Sequence, residues 1–484
     1  MSSSKIVFVS GNFNILHPGH LRFLKFAAEQ GNKLVVGLLA KGFSEGAFLE
    51  DVERTESLQA VSFVDDVVLV KADLNYWIRK LEPAYIVKGR EFENQFNAES
   101  EIIKEFGGRI LFGSGEPVTA TSTFVNENEV FCPIDTDYKA LAYLKRHKIS
   151  SGKISSLLEG YEQIKVAVLG DTIVDEYVEC DPVGMSREDA TIVVSPRETK
   201  KFLGGGGIVA AHAAGLGATV DFYTVLGDDD NASYVKAKAS EFGFSLKSFV
   251  DGSRPTTCKR RYRAGDKTML RVNTFRQHDI PSAVREGVFD TLTPKLNEYD
   301  LILFSDFSYG FLSDELMANL LPEISNSNTP FVADSQSSSQ VGDLSKFKGA
   351  NLVTPTEYEA RQTIKNNNDG LIKVSEGVGN FLNTEHVFVT QGADGVLVRT
   401  RNRGKGWWDT DDLPALNSSP KDVAGAGDAM MTASALALCS GADIWQAAFI
   451  GSVASALQVS RTGNIPLEFD TLNAQFSAFF EAEN

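Results

Sequence analysis

KIVFVSGNFNILHPGHLRFLKFAAEQG, residues 5–31, carries the pattern on which the fold turns. An apolar run from Ile6 to Val9 breaks at Gly11, and beyond Pro18 the residues Leu21, Leu24, Ala27 and Ala28 recur at helical spacing to bury one face. Proline suits the first helical position because its missing N–H is one the helix does not use, and Gly31 supplies the stop. The stretch therefore predicts a strand, a turn and a helix, with His17 and His20 at the carboxyl edge of the strand. Free N–H groups at a helix start attract anions, and imidazoles add donors. Two readings follow: one satisfied core histidine beside a solvated one, or a pair bound to a phosphate.

The same rhythm continues as KLVVGLLA then ERTESLQAVSFV, DVVLV then LNYWIRKLEP, AYIVKG then ESEIIKEFGG, and RILFG then TSTFVNE. Each parallel connection needs a crossover, so strands alternating with helices predict an α/β domain, a parallel sheet with helices on both faces. Residues 131–160 break the rhythm with Ser/Gly-rich punctuation and are expected as a linker between a domain at 1–130 and one at 161–484. The second domain opens with KVAVLGDTIVDEYVE (165–179), followed by TIVVSPRE, the glycine run Gly204–Gly207 and TVDFYTVLGDDD. CKRRYRAGDKTMLRVNTF (258–275) predicts a hairpin. Strand patterns resume at LILFSDFS, PFVADS, NLVTPTE and HVFVTQGADGVLVRT, and two small-residue helices are expected over 426–459.

With 484 residues, two or three domains are expected. An apolar share of 43% and a charged share of 23% are those of a globular protein. The net charge of −17 argues against nucleic acid or an anionic membrane as the main partner. It leaves nucleotides open, since helix starts, histidines and metal ions form local anion sites. Cys132, Cys180, Cys258 and Cys439 show no CxxC pairing and read as reduced thiols of a cytoplasmic enzyme. The opening apolar run is too short for a signal peptide, and no stretch reaches the roughly 18 apolar residues of a membrane span.

Asp422-Val-Ala-Gly425-Ala426-Gly427-Asp428 is the sharpest motif of the second half. The glycines let the backbone turn tightly into a helix that aims free N–H groups at one point. Asp428 could then take a proton from a hydroxyl attacking a phosphoryl group while those N–H groups hold the developing charge. The competing reading is a glycine turn with an N-capping aspartate.

With LGGGGIVAAHAAGLG (203–217), GDTIVDEY, VTPTEYEA and TQGADG, residues 163–470 resemble the ribokinase-like sugar kinases, especially the heptose-phosphate kinase branch. The resemblance implies a ribokinase-like α/β fold in which Asp428 is the base and Gly425, Ala426 and Gly427 form the anion hole. Asp171, Asp175, Gly204, Gly205, Gly206 and Gly207 would contact the sugar, Glu359 would help organise Mg²⁺, and Thr390, Gly392 and Gly395 would lie near the nucleotide. The 258–275 hairpin with 177–195 would form a β-lid, which implies a homo-oligomer, a dimer through the lid. The chain departs from the family pattern at Ile208 (usually Asn), Thr356 (usually Asn) and Asp334-Ser335-Gln336 (commonly Asp-Pro-Lys).

Across residues 5–128, the HPGH turn, ERTESLQAVSFVDDVVLV, YIVKGREF and VTATSTFVNE resemble the cytidylyltransferase-like nucleotidyltransferases. They are similar to the adenylyltransferase half of the bifunctional heptose-phosphate kinase/adenylyltransferases, here in reversed domain order. The resemblance implies a Rossmann-like fold in which His17 and His20 bind and activate nucleotide phosphates, within a turn formed by Gly11, Phe13 and Asn14. Arg54, Lys88 and Gly89 would lie near substrate or nucleotide, Thr121, Ser122 and Thr123 would serve the triphosphate, and Lys41 would neutralise phosphate or stand as a solvated loop lysine. Asn14 replaces the family's usual Asp, and Glu91 stands where an Asp often occurs.

These observations converge on an enzyme of nucleotide-sugar synthesis that uses a sugar phosphate, ATP and possibly CTP, with Mg²⁺, and binds neither nucleic acid nor membrane. The alternatives are that one half has become a binding or scaffold domain, that both act on a sugar other than a heptose, or that the chain binds nucleotides without turnover.

Overall fold

The computed structural model describes residues 5–14, 16, 18–43, 47, 49–71, 73–89, 99–113, 138–189, 191–264, 267–337, 342–402, 404 and 406–483. The chain divides into two compact units, Met1–Phe131 and Cys132–Asn484.

In the first unit β1 (Ile6–Gly11), β2 (Lys33–Leu39), β3 (Asp66–Val70), β4 (Tyr85–Gly89) and β5 (Arg109–Gly113) form one sheet in the order β3-β2-β1-β4-β5. Every pairing is parallel. The strand order reverses beside β1, which is where open α/β sheets bind ligands, at the carboxyl ends of the strands. The helix after β1 starts at Pro18, as expected, and runs to Ala28. Leu24 and Ala27 are fully buried against the sheet, but Leu21, a turn nearer the strand end, is 38% exposed. Phe23 and Phe26 pack on the core in addition to the expected stripe.

The second unit contains β6 (Lys165–Gly170), β7 (Thr172–Met185), β8 (Ile192–Gly205), β9 (Thr219–Leu226), β10 (Ser245–Val250), β11 (Thr257–Ala264), β12 (Lys267–Thr274), β13 (Leu301–Asp306), β14 (Phe331–Ser335), β15 (Leu352–Val353), β16 (His386–Thr390), β17 (Val396–Asn402) and β18 (Trp407–Leu413). Nine strands form the main sheet, β10-β9-β6-β13-β14-β15-β16-β17-β18, antiparallel only at the β16-β17-β18 end. The other four form a separate sheet, β12-β11-β7-β8. The expected hairpin is thus β11 with β12, and it pairs in parallel with β7. β7 and β8 are longer than expected, 14 residues each, and pair with each other from Thr172–Gly205 outward.

The stretch 131–160, expected as a linker, supplies two helices to the second unit, Tyr138–His147 and Ser151–Glu159. Ala140, Tyr143, Leu144, Ile154, Leu157 and Leu158 are buried in that unit's main core, so burial of this apolar face outweighs the Ser/Gly punctuation between the helices. The small-residue helices Ala426–Cys439 and Ile444–Val459 lie in the same core and are buried on nearly every face.

Candidate active sites

In the main sheet of the second unit the strand order reverses at β6 and β13, and the carboxyl ends of β6, β13 and β14 bring Asp171, Asp306 and Asp334 to one edge. The helix Ala426–Cys439 starts beside this edge, because the Asp428 side chain meets the residue that follows β14. Its N-cap is Gly425, at φ +77°, and a Cβ there would lie 2.5 Å from Asn464 Oδ1, so both backbone and space require glycine. Glycine offers no capping side chain, and the Gly427 and Asp428 N–H groups take no protein partner among the described residues. Donors left this way at a helix start suit an anion.

Asp428 does not cap the helix. It is the third helical residue, 4% exposed, and its Oδ1 accepts a 2.8 Å hydrogen bond from Gln336 Nε2. Burial pushes its carboxyl up to about 7, with the Lys259 charge and the Gln336 bond opposing and the Asp175 charge adding. A carboxylate poised there can accept a proton near neutral pH. Asp334 beside it is also buried and held well above the usual carboxylate range, first by burial and then by the charges of Glu359 and Asp428.

The two aspartates expected to contact sugar have different surroundings. Asp175 is buried with Oδ1 accepting from Arg261 Nη1 and Oδ2 from Asn464 Nδ2 at 3.2 Å, and its charge reaches Asp428. Asp171 instead receives the backbone N–H groups of Phe307 (2.9 Å), Tyr309 (3.2 Å) and Phe311 (3.3 Å), so its carboxylate holds the loop after β13. Burial, then the charge of Asp306, pushes its carboxyl up to about 6. The glycine run is demanded first by packing: a Cβ on Gly204 would lie 2.5 Å from Asp175 Oδ2, and one on Gly205, at φ +59°, 2.3 Å from the Asp171 carbonyl. Ile208, at the departure from the family pattern, is fully buried in the core.

Sequence reading alone did not single out Lys259, Arg261 or Asn464. Lys259 is 4% exposed, opposite Asp175 in the β11–β7 register, with its ammonium 4.8 Å from the Phe307 ring centre and 5.5 Å from that of Tyr309. A lysine inside CKRRYR reads as one of several strand cations, and only its burial distinguishes it.

Glu359 follows Thr356 in a capping box. Its Oε2 accepts from Thr356 N and Oγ1, each at 2.8 Å, and its Oε1 from Ser337 N at 2.5 Å. Thr356, where the family pattern has Asn, caps this helix through its hydroxyl. Thr390 N donates to the Pro355 carbonyl, and Gly392 and Gly395, both at positive φ, form the turn after β16, so the expected nucleotide residues adjoin Glu359's helix. Among the described residues no group of three His, Cys, Asp or Glu forms a metal cage. Magnesium keeps most of its waters and needs one or two carboxylates besides phosphates, and Glu359 Oε1, which accepts a single protein hydrogen bond, keeps an electron pair for the ion or one of its waters. Two surface grooves, about 530 and 600 Å³, are lined by other residues, among them Arg401 and Trp407, and Lys373 and Asp394 respectively.

In the first unit, His17, Thr121, Ser122, Thr123 and Glu91 lie outside the described residues. His20, in the first turn of its helix, meets the Phe13 ring edge-on at 5.4 Å. Phe13, at φ +41°, buries its side chain in the core, where its ring supports His20. Asn14 is buried and accepts from Leu49 N at 3.5 Å. Lys88, just before Gly89 at the end of β4, pairs with both oxygens of Glu99 at 3.0 and 3.1 Å. Lys41 is half exposed and pairs with Glu50 at 2.5 Å.

Arg54, expected near substrate or nucleotide, is fully buried. It donates to the carbonyls of Asn12 (2.6 Å), Leu39 (2.9 Å) and Leu49 (3.1 Å) and to Asp51 Oδ1 (2.6 Å). Those bonds tie the ends of β1 and β2 to the start of the next helix. Arg54 thus braces the strand ends beside which the candidate nucleotide site is expected.

Comparison with known proteins matches residues 163–470 to the pfkB family carbohydrate kinase model and residues 8–156 to the cytidylyltransferase-like model. The bifunctional protein HldE of Helicobacter hepaticus is 30% identical over 305 residues, 62% of this chain and 61% of that protein. That of Bradyrhizobium diazoefficiens is 28% identical over 304 residues, 62% and 60%. The chain thus spans about 60% of the length of these curated relatives. Among solved structures, a Thermotoga maritima ribokinase (20% identity, TM-score 0.51, 65% of this chain and 99% of that one) shares the fold. So does Escherichia coli phosphofructokinase-2 in complex with potassium (14%, TM-score 0.54, 66% and 99%).

Proposed function

Since this chain belongs to the pfkB family of carbohydrate kinases, with a cytidylyltransferase-like unit ahead of the kinase, we propose that it carries out two steps of nucleotide-sugar synthesis. The C-terminal unit transfers the γ-phosphoryl of ATP to a hydroxyl of a sugar or sugar phosphate, a heptose phosphate by kinship with the HldE proteins. The N-terminal unit joins a sugar 1-phosphate to the nucleotidyl group of ATP or CTP and releases pyrophosphate.

The observation that carries the kinase step is Asp428, a buried carboxyl with a pKa of about 7 at an uncapped helix start. Its carboxylate takes the proton of the attacking hydroxyl, and the Gly427 and Asp428 N–H groups hold charge on the transferring phosphoryl. Lys259 adds positive charge to the same space, and Asp175 with Asn464 orients acceptor hydroxyls. Magnesium, when bound beside Glu359, offsets the phosphate charge. In the first unit His20, with His17, hydrogen-bonds the α-phosphate under attack. We infer a cytoplasmic protein, since ATP and sugar phosphates are the substrates of this reading, and a dimer through the exposed β12-β11-β7-β8 sheet.

The test is to incubate the full chain with Mg²⁺, ATP or CTP, and a heptose phosphate or heptose 1-phosphate, following ADP and pyrophosphate. Both products are expected, each with its own acceptor. Neither product with any pair overturns the proposal.

A further inference from the structure

Asp428 can serve as a base only if one of its oxygens faces the acceptor, and nothing in its own helix fixes its rotation. The contact that does so comes from 92 residues away, where Gln336 Nε2 donates to Asp428 Oδ1 at 2.8 Å. The glutamine is itself held by the sheet: its backbone N–H donates to the Asp306 carbonyl at 2.9 Å, at the end of β13. The preceding Ser335 closes β14 and bonds Asp306 Oδ2 through its hydroxyl at 2.8 Å. Asp334, two residues before Gln336 at the end of β14, is a second buried carboxyl, and the Gln336 amide dipole favours its ionised form as well. The charged groups acting on this pair are Glu359, Asp175 and Lys259. Among these carboxylates a neutral donor relieves crowding, whereas a carboxylate at 336 would supply no donor when ionised.

We propose that Gln336 is the positioning residue of phosphoryl transfer: it occupies Oδ1 of Asp428, turns Oδ2 toward the acceptor hydroxyl, and separates Asp428 from Asp334. This rests on the kinase reading of the second unit. In this role Gln336 acts through Asp428, the group its side chain contacts. Its loss therefore affects the chemical step and leaves binding in place.

The test compares wild type with Gln336→Leu and Gln336→Glu in the full chain, using ATP and a heptose phosphate. Gln336→Met, which keeps chain length and loses the donors, replaces the leucine variant if that one fails to fold. Expected are a 10- to 100-fold fall in kcat for Leu or Met, at least as large a fall for Glu, and KM values for both substrates within threefold of wild type. A kcat within twofold of wild type for the leucine or methionine variant, or a loss confined to KM, overturns the proposal. A second arm needs no turnover: the ¹³Cγ resonance of Asp428, identified by its disappearance in Asp428→Asn, should titrate about one pH unit higher in the leucine variant, since a donor to the ionised form has gone. If wild type phosphorylates no acceptor, the kinase reading falls while this arm still decides the contact, and an unmoved resonance overturns it.

Discussion

Arg54 in the first unit and Asp428 in the second are both ionisable groups taken out of water, and the protein treats them in opposite ways. Arg54 spends its guanidinium on three carbonyls and a carboxylate. Asp428 keeps a hydrogen bond from Gln336, sits near two other acidic groups and carries a raised pKa. Burying a charge is expensive unless its partners are supplied, so a fully partnered group stabilises the fold, while an under-partnered one is held ready for chemistry. Within the second unit burial and partners act together: Asp171 receives three backbone N–H groups from the loop after β13 and still has its carboxyl pushed up to about 6, first by burial and then by the charge of Asp306, while Asp175 is paired with Arg261 and Asn464.

The largest expected effect follows from removing the under-partnered charge. Asp428→Asn should lower ADP formation by about 10²- to 10⁴-fold, the usual contribution of a general base, with ATP binding retained in calorimetry. The wild-type rate should rise with pH through about 7, as Asp428 ionises. Stability moves the other way. The folded-state pKa lies above the unfolded value of 3.8, so the stability this carboxyl contributes is complete below about pH 4 and is lost as pH rises through 7. At pH 8 the loss is at most about 4 kcal/mol, and Asp428→Asn should therefore melt higher than wild type there while matching it more closely at pH 4.

Arg54→Leu tests the other side of the contrast. It should destabilise the first unit by about 3 kcal/mol or more, because carbonyls and Asp51 lose their donors in a buried place. Kinase turnover should stay within twofold. An Arg54→Leu protein of wild-type stability with a raised nucleotide KM would make Arg54 a ligand contact and break the comparison. Asp171→Asn should cost about 1–3 kcal/mol in chemical denaturation, with kcat within threefold, since the loop loses acceptors and the site loses no reacting group. Lys41→Ala should be the mildest change, within about 0.5 kcal/mol, as expected for an exposed pair with Glu50.

The alternation of apolar runs with helical stripes was enough to reveal the parallel sheets and both strand-end turns, because period and crossover length are local properties. The helices over 138–159 escaped because Ser150, Ser151 and Gly152 look like a linker, although Ile154, Leu157 and Leu158 already held helical spacing. The length of β7 and β8 was hidden because their outer halves are exposed on both sides and show no alternation. Within the site, Gly425 to Asp428 were legible from the turn chemistry. Gln336 stood out only as a departure from the family pattern and Asn464 not at all, since the contact of each lies far along the chain. The burial of Arg54 was not legible for a different reason: DVERTESLQ has only Val52 and Leu58 as apolar residues, and only the fold shows that its arginine points inward.

The central claim, that one chain holds two separate catalytic units, is tested most directly by measuring ADP and pyrophosphate in parallel for wild type, Asp428→Asn and His20→Ala. Each protein is given ATP with a heptose phosphate, or a nucleoside triphosphate with heptose 1-phosphate. Asp428→Asn is expected to lose ADP formation and keep pyrophosphate release, and His20→Ala to do the reverse. Loss of both products in either variant, or of neither in both, would contradict it.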